Sequence, residues 1–95
     1  MPHAMFRRRE NWVEKKINEH AEKTGWRVRK FVSPGRRGEA DRMYTKALRF
    51  KILEIKRHGE TPTELQYKRL NEWAEDGFET AWTDNVEDGC AFLDR

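Results

Sequence analysis

The stretch Leu48–Lys56 (LRFKILEIK) constrains this chain more than any other. Strand alternation puts Leu48, Phe50, Ile52, Glu54 and Lys56 on one face, and Leu53 and Ile55 on the other. The first face is apolar until its end, where two charges follow each other. Burying a charge without a partner is costly. The end of this strand must therefore open into a cleft, hold an ion or leave the core, and a cleft beside a sheet end is a common place for a site.

The flanking sequence supplies the rest of a layered domain. Val13, Ile17 and Ala21 recur every fourth residue and predict a helix over about Phe6–Thr24, ended by Gly25. Trp26–Val32 alternates as a strand, with Trp26, Val28 and Val32 on one face. Residues 33–38 (SPGRRG) carry turn chemistry, and Asp41–Tyr44 begins a second strand. After the central strand, Thr61-Pro62-Thr63-Glu64 reads as a helix start, with Thr61 as N-cap and Glu64 closing a capping box. That helix is expected to run to about Asp76, with Gln66, Leu70 and Trp73 facing inward. Phe78, Thr80 and Trp82 form a short strand. Asp84 and Glu87 suggest the capping box of a last helix, whose apolar face is Val86, Cys90 and Leu93. The expectation is one α/β domain over residues 1–95, with residues 1–5 as a flexible lead. A central mixed sheet is flanked by helices in the order α-β-β-β-α-β-α.

Composition narrows the function classes. A single cysteine excludes an intrachain disulfide framework, and no Cys/His cluster points to zinc. A reducing, cytoplasmic setting fits. No apolar run approaches the ~20 residues of a membrane span, and the first residues have no secretory h-region. The net charge is only +3, but it is unevenly spread. Residues 1–70 hold nineteen Lys/Arg against nine Asp/Glu, and residues 71–95 hold one against eight. A basic body of this kind fits a polyanion such as nucleic acid, and it also fits an ordinary solvated surface.

Asp41 stands thirteen positions before Glu54. A hairpin turn between Met43 and Leu48 would bring the two carboxylates onto neighbouring strands, about 4.8 Å apart. Two hard oxygen ligands suit Mg²⁺ or Mn²⁺, which keep several waters and take phosphate oxygens in the rest of their shell. Such an ion polarises a phosphate and lowers the pKa of a bound water. Lys56 would orient that water or stabilise charge developing on the phosphate. A surface ion pair is the other reading of Glu-X-Lys, and the residues alone leave both open. Arg36, Arg37 and Arg42 flank Asp41, while Gly35 and Gly38 permit close approach of a phosphate. This is a phosphate clamp or a solvated basic loop. Lys30 and Arg57 complete the candidate DNA contacts. His20 and His58 receive no catalytic role. Trp26, Trp73 and Trp82 are assigned to the core, as is Cys90.

Three segments together resemble the virus-type replication-repair nuclease (VRR-NUC) domain of the PD-(D/E)XK superfamily: residues 31–42 (FVSPGRRGEADR), residues 52–57 (ILEIKR), and the turn from Pro62 to Gln66. The resemblance runs from about Glu10 to Leu93 and implies a restriction-endonuclease-like core. Asp41 then matches the acidic metal ligand, with Ala40 where the motif has proline. Glu54 and Lys56 match the (D/E)XK pair. Gln66 matches the helix glutamine that supports the site. Glu14, with Glu10 as its rival, matches the first-helix glutamate near the metal, and the Ile55 carbonyl is a further oxygen there. What the resemblance implies is a Mg²⁺- or Mn²⁺-dependent DNA endonuclease acting on branched DNA such as Holliday junctions, working as a homodimer, of phage or prophage origin. A less selective nuclease or nickase, and a nucleic-acid-binding module without catalysis, are the alternatives.

Overall fold

The computed structural model describes residues 2–30 and 42–95, residues 2–11 by backbone alone. Helix α1 (Pro2–Lys23) starts earlier than the expected Phe6. Proline at the first helical position forfeits no hydrogen bond, because that N–H has no intrahelical partner. Val13, Ile17 and Ala21 are buried along one stripe of α1. Gly25, at φ +93°, turns the chain into β1 (Arg27–Lys30).

β2 (Arg42–Lys46) and β3 (Arg49–Ile55) form the expected hairpin. Its turn is Ala47-Leu48, so β3 begins one residue later than predicted. Leu48 is fully exposed and belongs to no apolar face. Ala47 takes φ +53°, a conformation that alanine does not advertise in sequence.

Helix α2 (Glu64–Glu75) connects β3 to β4 (Glu79–Thr83), and α3 (Val86–Asp94) closes the fold. The sheet order is β1-β2-β3-β4. The first three strands are antiparallel, and β4 lies parallel to β3. A parallel neighbour needs a crossover, and α2 is that crossover. The mixed α/β fold and the element order are as read from the sequence.

Two helix starts differ from expectation. The N-cap of α2 is Thr63, not Thr61: its hydroxyl accepts from the Gln66 N–H, and the Gln66 side chain accepts from the Thr63 N–H. The N-cap of α3 is Asn85, not Asp84, and its side chain accepts from the Asp88 N–H at 2.8 Å. Asp84 instead accepts from the Gly59 N–H.

The two sheet faces bury different cores. Tyr44, Leu53 and Ile55 pack with Val13, Ile17, Ala21, Trp26, Phe92 and Leu93 under α1 and α3. Gly89 permits this packing, because a methyl group there would collide with Ile17. The Tyr44 hydroxyl donates to Asn18 Oδ1 at 2.7 Å, and burial pushes its pKa well up. On the other face, Ile52 and Leu70 pack with Met43, Phe50, Trp73, Phe78 and Trp82 under α2. Cys90 is half-buried rather than buried. Among the described residues, no helix is long and apolar enough to cross a membrane.

Candidate active site

β3 carries its charges to the carboxyl end of the parallel pair. Glu54 is 1 % exposed and lies beside Trp82 of β4 in register. By alternation from Ile52, its side chain belongs to the α2 face of the sheet. Lys56 follows on the same face. Its backbone N–H donates to the Thr83 carbonyl at 2.8 Å, carrying the β3–β4 pairing past the end of the strand. Its ammonium reaches Gln66 Oε1 at 3.4 Å, a long contact.

Gln66 ties this contact to the helix. The same Oε1 accepts from the Thr63 N–H at 2.9 Å, so the capping box of α2 fixes the amide that faces Lys56. The sequence-expected residues Glu54, Lys56 and Gln66 are thus brought to one end of the sheet, on one face.

Glu14 has a different setting. It projects from α1 and is ion-paired with Arg42, both side chains being about four-fifths buried. Arg42 opens β2 opposite Leu53, and Leu53 belongs to the core under α1 and α3. Glu14 and Arg42 therefore meet on the α1 side, next to the residue that precedes Glu54. Lys30 lies opposite Arg42 in register and is exposed. The Ile55 side chain is buried in the core. Arg57 lies 3.8 Å from Glu60. Asp41, Arg36 and Arg37 lie outside the described residues, as does the side chain of Glu10.

The turn after Lys56 is held by a residue whose role the sequence did not disclose. Asp84 accepts from the Gly59 N–H at 2.9 Å and from the Asn85 amide at 2.9 Å. The Gly59 hydrogen bond leads in holding its carboxyl below the usual range. Asp84 thereby anchors residues 57–60 to the end of β4. Gly59 lies 25 positions upstream, so no local pattern announces the contact. His58 is largely exposed, 3.9 Å from Asp84.

Among the described residues, no three His, Cys, Asp or Glu side chains gather as a metal cage. Mg²⁺ needs no such cage, since one or two carboxylates and substrate phosphate suffice. The hard oxygen of Glu54 at the strand end fits that chemistry.

Fold and site together define a three-layer α/β domain that gathers charge at the carboxyl ends of its parallel strands. A solved structure described as a VRR_NUC domain has the same fold: the TM-score is 0.82 at 20 % identity, over 92 % of this chain and 96 % of that one. The fold implied by the sequence resemblance is the fold observed. The sequence matches no protein-family model and no curated protein significantly.

Proposed function

We propose that this chain is a metal-dependent nuclease of the VRR-NUC type that hydrolyses phosphodiester bonds in DNA. One observation carries the reading. Glu54 and Lys56 emerge on one face at the end of β3, with Lys56 on Gln66, in a fold shared almost end to end with a VRR_NUC domain.

In this proposal Glu54 and Asp41 would hold Mg²⁺ or Mn²⁺, with the Ile55 carbonyl as a further oxygen; Glu14 would join them only by leaving its pair with Arg42 on the α1 side. Asp41 directly precedes Arg42, and Arg42 pairs with Leu53, the neighbour of Glu54. When bound, the ion supplies Lewis acidity and a more acidic water. Lys56, steered by Gln66, orients the attacking water and offsets negative charge growing on the phosphoryl oxygens. Water adds to phosphorus as one ester oxygen departs, and the ammonium favours the more charged transition state over the ground state. Arg36, Arg37 and Lys30 provide phosphate contacts, and Arg42 and Arg57 would join them by exchanging Glu14 and Glu60 for phosphate. Branched DNA is the proposed substrate. Cutting both strands of a two-fold junction calls for a homodimer.

The test is cleavage of labelled four-way junction, flap, nicked and linear DNA with Mg²⁺, Mn²⁺ or EDTA. Wild type should cut only with metal and prefer the junction, and Lys56→Ala should be at least ~100-fold slower. Equal cleavage by both proteins removes Lys56 from the chemistry. Equal cutting of all substrates favours the less selective nuclease. Tight, salt-sensitive binding with no cut product under any metal favours the binding module. A strict monomer in solution argues against paired cutting of a junction.

A further inference from the structure

β1 places two arginines on the same sheet face as Glu54 and Lys56. Arg27 lies opposite Thr45 and Arg29 opposite Met43, while Thr45 lies opposite Phe50 and Met43 opposite Ile52. Residues opposite each other share a face, and Met43, Phe50 and Ile52 all belong to the core on the α2 side. The rows Arg29–Met43–Ile52 and Arg27–Thr45–Phe50 therefore run across the face on which β3 ends in Glu54. Helix α2 packs on the other half of this face, where Leu70 and Trp73 meet Ile52 and Trp82. Arg27 and Arg29 stay exposed.

Ion pairing separates these two from four other arginines. Arg42 is held by Glu14, Arg49 by Glu79, Arg57 by Glu60 and Arg69 by Glu72. Among the described residues, Arg27 and Arg29 have no carboxylate partner. With Thr45 they line a depression of about 480 Å³ at the sheet edge.

Spacing says what this surface fits. Strands about 4.8 Å apart and a rise of about 3.4 Å per residue put the Arg29 backbone roughly 12 Å from that of Glu54, and Arg27 roughly 17 Å away. The major groove of B-DNA is about 12 Å wide. A duplex with one phosphate at the end of β3 would then bring its neighbouring backbone within reach of both guanidiniums. Arginine suits this role because its planar fork matches phosphate oxygens.

We propose that Arg27, Arg29 and Thr45 form a phosphate-contacting shelf that holds the duplex backbone one groove away from the cutting site. The shelf rests on the nuclease reading for its purpose. Its contacts position the duplex and carry no sequence information.

The experiment is fluorescence anisotropy of a labelled linear duplex in EDTA, from 50 to 300 mM salt, with wild type, the double variant Arg27→Ala/Arg29→Ala, and the double variant Arg27→Lys/Arg29→Lys. The alanine pair should bind about tenfold more weakly at 100 mM salt. It should also lower the slope of log affinity against log salt by about 1.8, or ~0.9 per lost phosphate contact. The lysine pair should keep the slope, because it keeps the charge. Thermal melting should be unchanged, since both side chains are exposed. An unchanged slope and affinity in the alanine pair would overturn the shelf. Cleavage by wild type with Mg²⁺ or Mn²⁺, run in parallel, separates the two failures. If wild type cuts and the slope does not move, only the shelf falls. If wild type cuts nothing and the slope moves, the nuclease reading falls and the shelf stands as a DNA-binding surface.

Discussion

Lys51 and Glu54 are both carried by β3, both essentially fully buried, and face opposite sides of the sheet. Lys51 enters the core under α1 and α3. Its ammonium donates to the Phe92 and Arg95 carbonyls at the end of α3 and lies 3.7 Å from Glu79. The rings of Trp26 and Phe92 lie 5.5 and 4.7 Å from it. A helix C-terminus exposes carbonyls and a partial negative charge, and this cation meets both. Glu54 lies three residues on, against Trp82, at the end of the strand that leads to Lys56 and Gln66. One buried charge closes a helix. The other is the one we propose as a metal ligand. Burial alone does not mark a functional charge; what the charge faces does.

Substitution at each position is the sharpest way to break that contrast, and the largest effect is expected at Glu54. Glu54→Gln keeps shape and removes the anion. Cleavage should fall about 10³-fold, equivalent to about 4 kcal/mol of barrier, while the melting temperature stays level or rises. Single-turnover cleavage and a thermal melt on one preparation check both halves. A collapse in stability with activity intact would make Glu54 a fold residue like Lys51. Lys51→Met should do the reverse. It leaves the α3 carbonyls without their donor, and should cost about 2 kcal/mol, or roughly 10 °C in melting temperature at this chain length. Activity per folded molecule should be unchanged below the melt. A selective loss of activity would merge the two roles.

The same contrast shows what the sequence discloses. The alternation of Phe50, Ile52, Glu54 and Lys56 is local, so the charged strand end is legible in the sequence itself. So is the stripe Val13, Ile17, Ala21. The destination of Lys51 is not, because its partners lie 41 and 44 positions away on a helix end. Asp84 resembles a cap but is taken by Gly59, and Asn85 caps instead. Thr61 and Thr63 both suit the start of α2. Thr61 with Glu64 and Thr63 with Gln66 both spell a capping box, and in the fold it is the Thr63 register that closes. Ala47 breaks the Leu48 alternation with a positive φ in a turn that has no glycine or asparagine to announce it. Glu14 has helical neighbours of every kind, yet its partner is Arg42 on β2, a tertiary fact.

Gln66 offers a smaller, sharpening test. Its carbonyl serves the helix cap and Lys56 together. Gln66→Ala should cost about 1 kcal/mol of stability through the lost cap contact. It should also slow cleavage about tenfold by leaving Lys56 less well oriented. Gln66→Glu keeps an acceptor at both contacts and should restore most of the stability. If cleavage by the alanine variant tracks stability alone, Gln66 acts only as a cap.

The smallest expected effect separates the two forces acting on Lys51. Burial pulls its pKa below the usual 10.5, and Glu79 works against that. The folded state then releases this proton at a lower pH than the unfolded chain does. Between the folded value and 10.5 the unfolded chain binds more protons, so stability gained at this site rises with pH. Other alkaline titrations, such as the buried Tyr44 hydroxyl, are common to wild type and Lys51→Met and cancel in their difference. The stability of wild type minus that of Lys51→Met, from urea unfolding at a series of pH values between 7 and 10, should therefore climb with pH. A difference that falls would mean that Glu79 and the α3 carbonyls outweigh desolvation. Lys51 would then be a cation the fold holds on to, which would set it further apart from Glu54, the buried charge proposed for chemistry.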